Sequence, residues 1–120
     1  MKTLILSCST AVLLILFVFT NSFIVRYNID KINDAIAAAP DSCQAGDLYE
    51  ALFEDYRRRE RYIALSVSHS DLLGIEDSYA EILGAIEADD LEALIIAKSR
   101  IIKALAHIKR LSAVNLDSVF

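Results

Sequence analysis

The chain has 120 residues, carries twelve Lys and Arg against seventeen Asp and Glu for a net charge of −5, and is 55% hydrophobic. Its length suits one small domain, but a mean hydropathy of +0.40 is high for a soluble one. The acidic balance argues against a general grip on nucleic acid, which needs clustered cations, and three Gly with one Pro disfavour a loop-rich or β-rich design.

The hydrophobic excess lies at the front. "TLILSCSTAVLLILFVFTNSFIV", Thr3 to Val25, runs 23 positions without a charge, and about 20 helical residues cross a hydrocarbon core. A cleaved leader would use Lys2 as its basic start, Ala11 to Phe19 as its apolar centre and Thr20 to Ser22 before the cut. The uninterrupted passage into "RYNIDKINDAI", with no Gly or Pro, favours a retained signal-anchor instead. The expected division is therefore a transmembrane anchor over residues 1–25 and an α-helical, extracytoplasmic domain over 26–120. The short leader and the acidic remainder (−6 from residue 26 onward) place the N-terminus inside, although Lys2 is nearly balanced by Arg26 and Lys31. Cys8 precedes the apolar centre, which is the wrong place for lipidation. It sits on the other side of a membrane interface from Cys43, so the two cannot easily pair. Cys43 is then a quiet buried thiol or an intermolecular bridge.

Val25, Ile29, Ile32, Ile36 and Ala39 step by four, three, four and three, which marks one helical face. The span is thus predicted to leave the bilayer as one rigid helix with Phe23 and Tyr27 near the headgroups, ending at Pro40. A second helix is predicted from an Asp47 N-cap with Glu50 completing a capping box. It turns Leu48, Leu52, Tyr56, Ile63 and Val67 inward, and Glu50, Glu54, Arg57, Arg58 and Arg61 outward, with Glu54 and Arg58 paired. Ser70 or Asp71 would cap a third helix with Leu72, Ile75, Tyr79, Ile82, Leu83 and Ile86 inside. After "EADD", Asp89 or Asp90 would cap a fourth, with Leu91, Leu94, Ile101, Leu105 and Ile108 inside. Lys98 interrupts that stripe and is expected to extend its ammonium to water. Lys103, Lys109 and Arg110 gather late in this helix, as its dipole favours.

"QAGDLYEALFEDY" from Gln44 and "EADDLEALIIAKS" from Glu87 restate one another 43 residues apart, and Ile32 and Asp34 map onto Ile75 and Asp77 at the same offset. The reading is a helix-to-helix corner used twice, giving two helical hairpins. Two units are too few for a solenoid, so the expected fold is all-α: a transmembrane helix continuing into an antiparallel four-helix bundle.

The Met-Lys leader with its apolar span, "GDLYEA", "HSD", "ADDLEAL", "AHI" at Ala106 to Ile108 and the closing "LDSVF" together resemble an uncharacterised family of short, single-span helical membrane proteins of Firmicutes, whose shared domain has no assigned function. In that pattern a Trp follows the first corner's Asp, where this chain has Leu48, and Pro40 is atypical. The resemblance implies the architecture and no activity.

Sites are sparse. His69 and His107 could approach at the membrane-facing end with Asp71 as a third ligand, but Arg100 and Lys103 share the face of His107 and the spacing matches no zinc pattern. "RRRER", Arg57 to Arg61, could meet acidic headgroups, yet Glu54, Asp55 and Glu60 interleave, so a solvated face is the expectation, with Arg59 toward the apolar side. Tyr49, Tyr56, Tyr62, Tyr79 and Phe53 are expected as core and rim. The Val119–Phe120 tail is either a partner peptide or a cover for the open end of the bundle. No nucleophile–base–orienter set and no phosphate loop is visible, so no catalytic, metal or cofactor residue is assigned and an enzyme is not expected. The expected role is an interaction or accessory protein, partnered by the lipid bilayer and by another membrane protein or itself. Ser7, Ser9, Thr10, Asn21 and Ser22 offer polar contacts within the span. The alternatives are a ligand-binding or sensory bundle with a pocket among Tyr49, Phe53 and Tyr79, or a secreted helical protein released after Ser22.

Overall fold

The computed structural model describes the chain from residue 1 to residue 119, with side chains described to residue 112. Four helices follow in order: α1 Lys2–Ala38, α2 Gly46–Ile63, α3 His69–Glu87 and α4 Leu91–Val119. No strand occurs among the described residues. The helices pack in a closed ring, α1 on α2, α2 on α3, α3 on α4 and α4 back on α1. The elongated outline of 69 × 22 × 22 Å comes from α1, which protrudes far beyond the bundle at one end, here called the lower end.

Each stripe explains its helix. Val25, Ile29, Ile32 and Ile36 of α1 are all at most 1% exposed, as their four-three rhythm requires. In α3, Leu72, Ile75, Tyr79, Ile82 and Ala85 are buried, and in α4 Leu94, Ala97, Ile101, Leu105 and Ile108. The most polar helix, α2, is held by three large residues seven apart: Tyr49, Tyr56 and Ile63, each fully buried. Tyr56, Ile63 and Val67 are buried as expected, whereas Leu52 is half-buried and Leu48 exposed, its place at the start of the stripe taken by Tyr49. Tyr49 brings a larger apolar surface than leucine and a hydroxyl that reaches the Pro40 carbonyl. The broad α3–α4 interface has the opposite chemistry. Ser78, Ala85, Ala93 and Ala97 are small, and small residues let helix axes approach.

The two corners differ in construction. Ala39 turns extended (φ −67°, ψ 140°), because the residue before a proline is driven out of the helical region. The chain then needs seven residues, Ala39 to Ala45, before α2 begins. The Ser42 hydroxyl accepts from the Gln44 amide, and the Tyr49 hydroxyl donates to the Pro40 carbonyl at 2.8 Å. Asp47 is not the cap. The N-cap position is Ala45, and Asp47 lies in the first turn, where its charge still suits the positive end of the dipole.

The second corner takes three residues, Ala88 to Asp90. Asp89 has φ 54°, its N–H reaches the Ile86 carbonyl and the Asp90 N–H reaches the Ala85 carbonyl at 2.8 Å. That pair of bonds is a Schellman closure. Asp90 then caps α4 at once, its carboxylate accepting from the Ala93 amide at 3.1 Å. The 43-residue restatement is therefore one of core and surface positions, not of corner geometry. Ile32 and Ile75 are both buried and Asp34 and Asp77 both exposed, but α2 starts 45 residues before α4. Asp89→Gly should raise stability by up to about 1 kcal/mol, because glycine adopts the left-handed region without the Cβ penalty. Chemical denaturation of the two chains side by side reads that gain.

The α2–α3 connection is capped by Ser68, whose hydroxyl accepts from the Asp71 amide at 3.1 Å, and not by Ser70 or Asp71. Helix α4 runs on to Val119, so the cations expected at its C-terminal end lie in its middle. The packing expected of the Val119 and Phe120 side chains lies outside the described residues.

Candidate functional site

Three regions carry the chemistry that the fold leaves unused. The first is the lower half of α1. From Lys2 to Phe17 every residue is exposed, and the most apolar eighteen-residue window, with a mean hydropathy of 2.4, has no buried residue. A core helix of a soluble protein would bury that window. Helix α1 is long and apolar enough to cross a membrane. Within it the Thr10 hydroxyl donates to the Leu6 carbonyl at 2.9 Å, so Thr10 is satisfied inside its own helix.

The second region is the lower end of the bundle, where α1 is first covered. The Asn21 amide donates to the Ser66 hydroxyl of the α2–α3 loop, and the Ser22 and Ser112 hydroxyls meet at 3.3 Å. Between them lies a cavity of about 350 Å³ bounded by Val18, Val25, Val67, Asp71 and Ile108 among others. Elsewhere the surface of this end is apolar and aromatic. Leu65 is 90% exposed at the loop tip, with Tyr62, Phe23 and Tyr27 also exposed. Phe23 and Tyr27 stack at 6.4 Å, and the Lys31 ammonium stands 5.5 Å from the Tyr27 ring. Amphipathic rings beside the end of an apolar helix suit a membrane–water interface.

The third region is the upper end. Leu91, Ile95 and Ile96 of α4 are each close to half exposed, and Ile96 borders the groove between α3 and α4. Cys43 lies half-buried at the first corner. Burial, then the neighbouring Asp89 carboxylate, pushes its thiol pKa up from 9.0, which keeps it a thiol at neutral pH and disfavours disulfide exchange.

The aromatic residues fill the core where a ligand would have to sit. Phe53 and Tyr79 stack at 5.1 Å and 2°, Tyr56 and Tyr79 meet at 5.3 Å and 30°, and the Tyr56 hydroxyl donates to the Leu72 carbonyl at 3.3 Å. Tyr49, placed against Pro40, is separate from this stack, and Tyr62 is on the surface.

The basic run divides as the helix demands. Arg57 covers the Phe53 ring at 4.4 Å. Arg58 pairs with Asp55 at 3.6 Å in place of the expected Glu54. Arg59 turns inward, donating to Asp55 at 2.9 Å and to the buried Asn28 of α1 at 3.1 Å. Asn28 in turn donates to the Ile24 carbonyl, so a polar latch joins α1 and α2. Burial and then Glu76 raise the Glu60 carboxyl above its usual value.

His69 and His107 are both exposed, and among the described residues no three His, Cys, Asp or Glu side chains gather as a metal site.

Lys98 departs most from expectation. Its ammonium turns from water to the Ala39 carbonyl at 2.7 Å and Asp41 at 2.9 Å, leaving the side chain 12% exposed. A cation thus closes the C-terminal end of α1. Lys98→Met keeps the stem and loses the charged hydrogen bond, which should cost about 1.5–3 kcal/mol. Asp41→Ala should cost less than about 1 kcal/mol, because the carboxylate is half exposed. Thermal unfolding of both variants checks the order.

No family model, curated protein or solved structure matches the chain. The resemblance drawn from the corner motifs therefore rests on those residues alone.

Proposed function

We propose that the chain is a single-span membrane protein whose small bundle serves as an interaction or accessory subunit. The bundle stands on the extracytoplasmic side, at a height set by α1. The observation that carries this is the division of labour along one unbroken helix. The half below Val18 is bare and apolar, and the half above Val25 is the buried strut of the bundle. Cleavage after Ser22 would sever the Asn21–Ser66 and Ser22–Ser112 contacts from the bundle they join, which favours retention over secretion. The stacked rings of Phe53, Tyr56 and Tyr79 weigh against an internal ligand pocket. The exposed Leu91, Ile95 and Ile96 at the upper end of α4 favour a protein neighbour in the same membrane, either a second copy or another membrane protein. Membership of the Firmicutes family belongs to the same proposal.

Photo-crosslinking in intact membranes tests it. A photoreactive residue at Ile95 should give one discrete adduct, and one at Glu54 on the exterior of α2 should give none. Equal adducts from both positions, or none from Ile95, would remove the interaction reading. Intact-mass measurement of the membrane fraction tests the anchor separately, since loss of residues 1–22 would end it.

A further inference from the structure

The end of the apolar stretch and the basic residues of α4 meet at one level. Arg26 is the first charged residue after Lys2. Antiparallel packing brings Lys109 and Arg110 beside it. The Ser22–Ser112 contact lies one turn below, and the Lys109 ammonium pairs with Asp30 at 2.8 Å one turn above. With Ala106, the three cations line an open depression of about 410 Å³ in the α1–α4 seam.

We infer that this seam binds the phosphate of an anionic phospholipid headgroup, held by Arg26, Lys109 and Arg110. The inference rests on the reading of α1 as a membrane span. Two observations besides the charge point to a ligand. The Arg26 Nε is buried and has no hydrogen-bond partner among the described residues. A buried donor left unpaired is costly, so a guanidinium that turns outward to pair its Nε with a phosphate oxygen gains by binding. The second is depth. At about 1.5 Å per residue, Arg26 stands within a few ångströms of the last uncharged residue, where headgroup phosphates lie. Leu65 is 90% exposed on the loop that Asn21 holds, so the lower end of the bundle presents apolar surface at the same level.

Asp30 offsets one of the three cations, which leaves a net charge of about two at the seam. The planar guanidinium fork matches phosphate oxygens in pairs. A lipid fits better than free phosphate because α1 directly below Arg26 is apolar, with Phe23 70% exposed one turn down, where an acyl chain can lie.

The full chain, reconstituted in bilayers of phosphatidylcholine mixed with phosphatidylglycerol, is released into native mass spectrometry and its retained lipids are counted. Wild type should retain phosphatidylglycerol in preference to phosphatidylcholine. Arg26→Gln and Arg110→Gln should each reduce that preference about fivefold, the effect of one interfacial cation. Arg26→Lys keeps the charge without the fork and should fall between. Arg110 is exposed, so its loss cannot act through unfolding. Arg100→Gln removes the same charge further up α4 and should change nothing. An equal loss with Arg100→Gln would overturn the site in favour of general charge attraction. Displacement of the lipid by inorganic phosphate would overturn the lipid assignment. Alkaline carbonate extraction of the same membranes separates the two levels of failure. A chain that is extracted refutes the span itself, whereas one that stays without headgroup preference refutes only the seam.

Discussion

Tyr79→Ala is expected to remove most or all of the stability of the bundle. Tyr79 is 1% exposed and lies between Phe53 and Tyr56 at 5.1 and 5.3 Å, so it is the member of α3 that holds α2. Truncating a buried aromatic costs about 3–5 kcal/mol. A domain of this size has a total of roughly 5–15 kcal/mol, and α2 has little else to bury beyond Tyr49, Tyr56 and Ile63. Denaturant unfolding of the reconstituted chain should show the transition shifted to very low denaturant or absent. Tyr56→Phe keeps the ring and loses one hydrogen bond to the Leu72 carbonyl, for a cost of only about 0.5–1.5 kcal/mol. A parallel pH titration separates ring from hydroxyl. Burial pushes the phenols of Tyr56 and Tyr79 well above their ordinary value of 10.0. The folded pKa is the higher one, so the stabilisation is complete below pH 10.0 and is lost as pH rises above it. Wild type should unfold on going alkaline with a steeper pH dependence than Tyr56→Phe.

Ile24→Pro is expected to uncouple the bundle from the apolar lower half of α1. Ile24 is half-buried in the middle of α1, just below the first fully buried residue, Val25. A proline there deletes a helical hydrogen bond and clashes one turn back, for about 3 kcal/mol or more. It also tilts the two halves of α1 against one another, so that the Asn21–Ser66 and Ser22–Ser112 contacts cannot both persist. Ile24→Ala supplies the control, since it removes side chain without touching the backbone. Proline should lower the unfolding midpoint far more than alanine and abolish any crosslink made from Ile95. Equal effects of the two would mean that the continuity of α1 does not matter.

The helices and most of their inner faces were legible because their apolar residues recur at helical spacing. The stripes of α1, α3 and α4 needed little else, except that Leu91, expected inside, is close to half exposed at the start of α4. In α2 the inward Tyr56, Ile63 and Val67 were legible, but Leu48 and Tyr49 are both plausible inward residues at its start, and the structure buries the tyrosine. The corners were the least legible. Asp47 and Asp90 occupy matching places in the string, but Pro40 forces a long first corner and the left-handed Asp89 allows a short second one. Lys98 and Asn28 interrupt apolar stripes, and their partners lie 59 and 31 residues away in sequence. Polarity within a stripe was the available signal, and it could not name Ala39 or Arg59. The Arg26–Lys109–Arg110 cluster is likewise a product of antiparallel register, which no local pattern encodes.

The most direct measurement is the distance between spin labels at Leu14 and Ala37, with Cys8 and Cys43 replaced by Ser, in the full chain embedded in bilayers. Twenty-three residues of continuous helix put the two labelled positions about 35 Å apart, and the distribution should be narrow, with the Leu14 label shielded from water-soluble relaxation agents. A broad or markedly shorter distribution, or a Leu14 label open to water, would contradict a membrane span and a bundle strut made from one helix.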